Sequence, residues 1–289
     1  MTNISHVRVY VLADDYAGYS SHFIAQHGAS YLIELYEESD VICRILFDTA
    51  IYGDIVIKNM DLLGKKTEEV DLIVLSHCHY DHTGGLIEIL KAINKRGIPI
   101  IAHPSIFRPH FVLEPKMQHV GMPEGFKREA EEYGCTWVLV NRPIKIAKNT
   151  MVTGEVEREV EFEKTPTLKL YTVKNGELVP DEMLDDMSLV IDTDEGIIVI
   201  SGCSHAGIIN IVYKAMKITG NDNIKAIIGG LHLIDAKEER IKKTVDYLVK
   251  LNVKKLFVGH CTGLKAECEL LRRFSSKFKK LYTGMEIIL

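Results

Sequence analysis

Residues 76–82, Ser-His-Cys-His-Tyr-Asp-His, place four metal-capable side chains, His77, His79, Asp81 and His82, within six positions. Imidazole nitrogen and carboxylate oxygen together suit zinc, manganese or iron, and four such donors exceed what a mononuclear site usually takes from a single loop. The spacing therefore points to divalent metal ions, two of them. In extended backbone His77 and His79 face the same way, because side chains alternate with a period of two. Directly before them, residues 71–75 are an apolar run too short for a helix, and they read as a buried strand. Asp81 and His82 follow where that strand must turn. The alternative, four ordinary loop residues, requires a coincidence of spacing.

Other strand ends carry polar residues in the same manner. Runs at 188–192 and 197–200 read as strands around the turn Thr193-Asp194-Glu195-Gly196, and the second runs into SGCSHAGI, which holds Cys203 and His205. A strand at 224–228 leads into GGLHL with His232, either a packing residue or a support for the metals or substrate, and a strand at 255–258 leads into GHCTG with His260. Between the two halves, DDMSLVI carries Asp185 and Asp186.

The run His77-Cys78-His79-Tyr80-Asp81-His82 resembles the His-x-His-x-Asp-His signature of the metallo-β-lactamase superfamily. That resemblance implies an α/β (α+β) fold, the four-layered αββα sandwich, with a metal pair at one edge. It also implies that Asp48, in the Phe-Asp-Thr-Ala stretch 47–50 that resembles the superfamily's Phe-Asp-Thr-Gly strand end, supports the metals from behind their ligands. Ala50 departs from the usual Gly. His260 matches the histidine that closes the superfamily's metal motifs. His205 is the further ligand expected, since the usual upstream histidine is missing and Asp185 and Asp186 stand there instead as weaker candidates. Cys203 occupies the place of a carboxylate that usually bridges the metals, and a thiolate there would alter metal preference.

HGAS, HYDHTGGL, TGEVER, SGCSHAGI, GGLHL and GHCTG, spread over most of the chain, resemble the archaeal branch of the superfamily that makes dihydropterin intermediates of methanopterin biosynthesis. The resemblance implies a metal-dependent transferase. Its small-molecule substrates are a 6-hydroxymethyl-7,8-dihydropterin diphosphate and 4-(β-D-ribofuranosyl)aminobenzene 5′-phosphate, and diphosphate leaves. It also implies magnesium beside the zinc, manganese or iron that the ligand types suit. Two readings stand against it: a hydrolase of a phosphodiester, phosphate ester or lactone on the same fold, and a non-catalytic metal-binding protein. The fold alone does not choose, because one fold serves many reactions.

The 289 residues are 46% hydrophobic, enough for a sizeable core, and are read as a single domain. With 40 acidic against 35 basic residues the net charge is −5, so nothing advertises nucleic acid. Residues 1–15 lack a basic start followed by an apolar stretch, and no segment nears the ~18 apolar residues that span a bilayer. A cytoplasmic protein with no membrane contact is expected; oligomeric state is left open. The cysteines at 43, 78, 135, 203, 261 and 268 have no paired spacing and read as reduced thiols.

Strands are expected at 7–12, 31–36, 42–47 and 98–102. Helices are expected at 51–70, 86–97, 208–219 and 238–251. His22 and His27 fall in a polar loop and read as structural or exposed. Residues 104–184 lack clear periodicity apart from a short helix at 127–133 and β-like runs at 137–140 and 151–152, and are read as an insertion. Loops on a rigid scaffold carry specificity, so His110, His119, Arg142 and Lys145 are candidates to meet an anionic substrate, with Arg142 and Lys145 as phosphate-binding residues.

Overall fold

The computed structural model describes residues 4–164 and 169–289; residues 1–3, and residues 165–168 inside the stretch expected as an insertion, lie outside the described residues. The chain divides into two compact units. The first comprises His6–Asn141, Lys169–Asp185 and Tyr282–Leu289, the second Met1–Ser5, Arg142–Leu168 and Asp186–Leu281.

In the first unit a seven-stranded sheet runs in the order Glu286–Ile288, His6–Ala13, Ser30–Glu37, Asp40–Phe47, Leu72–Val74, Ile98–Ala102, Cys135–Leu139. Its first three pairings are antiparallel and its last three parallel. The hairpin at 37–40 turns through Glu38 at φ 55. Leu12, Leu32, Leu46, Ile73 and Ile100 share one core with Val56 and Met60 of helix Gly53–Leu62 and with Leu86, Ile89, Leu90 and Ile93 of helix Leu86–Ile93. Both helices stop short of the sequence expectation. The first gives way before Gly64 at φ +69, and the second ends where Asn94 turns left-handed at φ 49 and its N–H bonds the Leu90 carbonyl. Asn shares with Gly an unusual tolerance of that conformation, so Asn94 stops the helix before Gly97 is reached.

A second sheet of this unit is small, with the order Glu177–Pro180, Tyr171–Lys174, His110–Val112, Gln118–His119. Residues 104–184 are thus of two kinds. Cys135–Leu139, Ile144–Ala147 and Thr150–Val152 are strands of the large sheets, whereas the small sheet stands apart from them.

The second unit has a seven-stranded sheet in the order Phe278–Lys280, Lys255–Gly259, Ile224–Gly230, Gly196–Ser201, Ser188–Thr193, Thr150–Val152, Ile144–Ala147. The first four strands are parallel. Their near-continuous apolar runs, such as Gly-Ile-Ile-Val-Ile-Ser, fit strands covered on both faces. Ile197, Val199, Ile227, Leu256 and Val258 pack with helices Ile208–Thr219, Glu238–Lys250 and Leu264–Phe274. The last helix and the strand Phe278–Lys280 were not read from sequence.

One buried charge in the first sheet is fully paired. Glu34 accepts from Tyr36 Oη at 2.8 Å, Lys65 Nζ at 2.9 Å and Arg44 Nε at 3.0 Å. Burial alone would raise its pKa, but Lys65, Tyr36 and Arg44 outweigh burial and hold the carboxyl below its ordinary value. A depressed carboxyl pKa adds stability above the unfolded pKa, and that stability is lost as pH falls through the folded one. Glu34→Gln is therefore expected to cost about 3 kcal/mol near neutral pH. In urea titrations repeated across pH, the gap from wild type should close in acid; a gap constant with pH would show that the charge is not what matters.

Candidate functional site

The parallel strands of the first unit end together. Phe47 pairs with Val74, and the Asp48 N–H bonds the Val74 carbonyl at 2.9 Å, so Asp48 and Ser76 leave the sheet at one level. Asp48 is buried, and its donors are close: Ser76 N–H at 2.7 Å, Ser76 Oγ at 2.7 Å and His82 Nδ1 at 2.7 Å. His82 is also buried, with Nε2 3.4 Å from Asp81 Oδ2. Burial pushes the His82 pKa down, but Asp81 and Asp48 outweigh it and raise the value to about 9. This pocket favours positive charge.

The hydrogen-bond network fixes which nitrogens of the neighbouring rings accept. Ser76 gives its only hydroxyl hydrogen to Asp48, so Ser76 Oγ accepts from His77 Nδ1 at 2.8 Å and leaves Nε2 of His77 as the acceptor nitrogen. From the other side, His110 Nδ1 donates to Asp181 Oδ2 at 2.7 Å. His110 Nε2 then accepts from His79 Nε2 at 3.0 Å, which leaves Nδ1 of His79 as acceptor. The two acceptors, His77 Nε2 and His79 Nδ1, face each other at 3.0 Å. Lone pairs aimed at one another repel unless a cation lies between them, and a divalent metal ion fits this donor set.

Arg108 ties the supports together. Its guanidinium pairs with Asp181 and lies 2.7 Å from Asp185 Oδ1, and Asp185 Oδ2 accepts the Cys78 N–H at 2.8 Å between the two histidines. Burial opposes the charge on Asp181, but His110 and Arg108 outweigh it and hold that carboxyl well below the usual range. His27 is half-exposed, 2.8 Å from Asp15 Oδ1 and 3.5 Å from Asp81 Oδ2. It has carboxylate partners where sequence offered only a structural or exposed residue.

In the second unit, Cys203, His232 and Cys261 bring one ligand atom each within 4.8 Å of one another. The His205 and His232 rings lie 4.1 Å apart. The loop carrying His205 is held by two buried acids. Asp186 Oδ2 accepts the Ala206 N–H at 2.7 Å, and Glu163 accepts from Ile209 N–H at 3.1 Å and Asn210 N–H at 3.0 Å, capping a helix whose own Gly207 has no side chain to do so. His260 begins the turn His260–Thr262 at φ 47. Arg142 and Lys145 are exposed, Lys145 on the edge strand Ile144–Ala147, outside both clusters. His119 is exposed against Phe111, and His22 is exposed.

The profile of the metallo-beta-lactamase superfamily matches residues 25–260. The chain belongs to the metallo-β-lactamase superfamily. It is 46% identical over 284 residues, 97% of this chain and 96% of the relative, to the 7,8-dihydropterin-6-methyl-4-(beta-D-ribofuranosyl)-aminobenzene-5'-phosphate synthase of Methanocaldococcus jannaschii. It is 36% identical over 253 residues to uncharacterized protein MJ0448 of the same organism, 86% of this chain and 88% of the relative. Among solved structures, Tm1679, described as a metal-dependent hydrolase of the beta-lactamase superfamily, aligns with a TM-score of 0.80 and 29% identity. That alignment covers 97% of this chain and 98% of the other.

One departure from the superfamily pattern acquires a physical meaning. Ala50, where Gly is usual, sits at φ 52, a conformation that costs a side-chain-bearing residue about 1–2 kcal/mol. Asp181, Arg108 and His110 lie in or beside the small sheet, and no periodic signal marks them; of the three only His110 was singled out from sequence, and there as a substrate contact, while Arg108 and Asp181 were missed.

The HGAS stretch owes its Gly28 to a close approach. A Cβ there would lie 2.0 Å from the Asp81 carbonyl oxygen, and φ is +112. Gly28→Ala is therefore expected to cost about 3 kcal/mol by clash and backbone strain. Gly64→Ala is the control, since φ is +69 but nothing lies within 4 Å; it should cost only about 1 kcal/mol. Equal losses in urea titrations of the two variants would refute the close approach.

Proposed function

We propose that the chain is a transferase that joins a 6-hydroxymethyl-7,8-dihydropterin diphosphate to 4-(β-D-ribofuranosyl)aminobenzene 5′-phosphate. The observation that carries this reading is the 46% identity, over 97% of the chain, with a synthase whose name describes such a joined molecule. The arylamine nitrogen forms a bond to the pterin methylene carbon, the carbon–oxygen bond to diphosphate breaks, and the nitrogen gives up one proton. We read the chain as one functional domain, since the superfamily match runs from residue 25 to 260.

His77, His79, Asp81 and His82 would hold divalent metal, with His205 and His260 added on the family resemblance. When bound, a divalent pair supplies Lewis-acid neutralisation of the charge that gathers on a departing diphosphate. The chain's own part is positioning. Asp48 orients His82 and, through Ser76, His77; the Asp181–His110 pair orients His79; Asp185 holds the backbone between the two histidines. Such supports matter because ligand rings held in one tautomer and direction pay little to bind. Arg142 and Lys145, both exposed cations, would meet the phosphate of the arylamine substrate.

A hydrolase is the second reading, favoured by the 29% identity with Tm1679. The two readings part on the acceptor. Purified protein is incubated with the dihydropterin methyl diphosphate with and without the arylamine phosphate, and diphosphate is followed. Acceptor-dependent release is expected, and equal release without acceptor would overturn transfer in favour of hydrolysis.

Metal dependence has its own test. Elemental analysis should find two ions per chain, and His79→Ala should lower that occupancy while circular dichroism stays unchanged. Asp181→Asn, which leaves every ligand in place, should weaken metal retention against a chelator by about 10–100-fold. Full occupancy in His79→Ala would sink the ligand assignment, and unaltered retention in Asp181→Asn would sink the role of the supporting pair.

A further inference from the structure

Residues 27–30, His-Gly-Ala-Ser, close a loop that leaves the strand His6–Ala13, and three of the four clasp the ends of the metal-bearing strands. Gly28 lies against the Asp81 carbonyl, where a Cβ would approach to 2.0 Å. The Ala29 carbonyl accepts the Ala50 N–H at 3.1 Å, and Ser30 Oγ donates to the Asp48 carbonyl at 2.9 Å. Those contacts account for Gly28, Ala29 and Ser30. The imidazole of His27 needs a reason of its own.

The closing of the loop brings Asp15 beside that ring. Gln26 N–H bonds the Asp14 carbonyl at 3.2 Å, so the residues that follow Asp14 and Gln26 come together. Both anchors are fixed. Asp14 N–H donates to Thr283 Oγ1 at 3.0 Å and its carboxylate accepts the Tyr16 N–H at 3.2 Å, while the Gln26 side chain exchanges two bonds with the Tyr52 main chain at 2.8 and 3.1 Å. Asp15 Oδ1 and His27 Nδ1 then meet at 2.8 Å. A carboxylate only accepts, so Nδ1 carries the hydrogen and the neutral ring presents its lone pair at Nε2. Asp48 sets His82 in the same way, behind Nδ1 with Nε2 forward.

Both forward nitrogens face one oxygen. His82 Nε2 lies 3.4 Å and His27 Nε2 3.5 Å from Asp81 Oδ2. These spacings exceed the ordinary length of an N–H···O hydrogen bond, roughly 2.7–3.2 Å. Nitrogen and oxygen ligands of one tetrahedral zinc-type ion, each about 2.1 Å from it, lie about 3.4 Å apart. The separation of His27 from Asp81 is therefore that of two ligands of one ion.

We propose that His27 is a further metal ligand, its Nε2 joining Asp81 on a divalent ion, with Asp15 as the positioning residue that fixes its tautomer. The inference rests on the reading that residues 77–82 hold divalent metal, and it adds an imidazole from a loop that lies outside the superfamily's His-x-His-x-Asp-His signature. A further imidazole favours zinc, manganese or iron over magnesium, which takes oxygen ligands.

Full-length protein loaded with cobalt(II) tests this, because the visible bands of cobalt report coordination number and ligand type. His27→Ala is expected to alter those bands and to weaken metal retention against a chelator by at least about 10-fold. Asp15→Asn, which keeps the ring, should weaken retention by about 10–100-fold, and Asp15→Glu should restore it. His22→Ala, an exposed histidine of the same loop, is the control and should match wild type. In wild type labelled with nitrogen-15 histidine, zinc should shift the His27 Nε2 resonance and leave His22 in place. Wild-type bands and retention in His27→Ala, or an unmoved His27 resonance, would overturn the assignment. If His79→Ala emptied the site while His27→Ala changed nothing, the role of His27 would fall and the reading of residues 77–82 would stand; a wild type that takes up no cobalt would overturn both.

Discussion

Nε2 of His77 and Nδ1 of His79, two acceptor nitrogens 3.0 Å apart, are the contact on which the first unit turns. Neither ring reaches that state alone. His77 is set by Ser76, whose hydrogen is committed to Asp48; His79 is set by His110, whose other nitrogen is committed to Asp181. Both chains of donors end on a carboxylate, so the negative charge is delivered one residue behind the metal-capable rings. A carboxylate so buried costs several kcal/mol unless hydrogen-bonded. Asp48 meets that demand with three donors within 2.7 Å, at the cost of a left-handed backbone at φ 59.

The second unit solves the same problem with different chemistry. Its polar loops also follow parallel strands, which leave their last carbonyls and amides without sheet partners. Those groups are satisfied by neighbouring loops and by the buried acids Asp186 and Glu163. Burial raises the Glu163 pKa, and the N–H groups of Asn210 and Ile209 that its oxygens accept work against that rise while they cap the helix. Here too the acid stands behind the loop that carries a histidine.

Sequence was most informative where periodicity and chemistry coincide. Residues 208–219 show apolar spacing that matches the helix Ile208–Thr219 from end to end, and the strands at 188–193 and 196–201 were marked by the turn between them. Residues 77–82 were legible because four ligands at short spacing are rare. Partnerships across long separation were not. Arg108 meets Asp181 and Asp185 more than 70 positions away, and Glu163 meets Ile209 and Asn210 more than 40 away. No local period records such pairs. The helix expected at 51–70 is shorter for a local reason: Val56 and Met60 do belong to the core, but Leu62 is exposed and the backbone turns left-handed at Gly64.

The small sheet joins a variable periphery to the metal-capable rings. Its strands Gln118–His119, Tyr171–Lys174 and Glu177–Pro180 are largely exposed and contribute little to the main core. Its strand His110–Val112, however, begins with a fully buried histidine whose ring bonds His79. One imidazole thus couples a peripheral element, free to vary in shape, to the direction of a metal-capable ring. On a scaffold shared by hydrolases and transferases, the ligand motif is too general to select a reaction. An element that both faces solvent and sets the orientation of His79 is a place where substrate contacts and metal geometry can change together, without disturbing the parallel strands that hold Asp48.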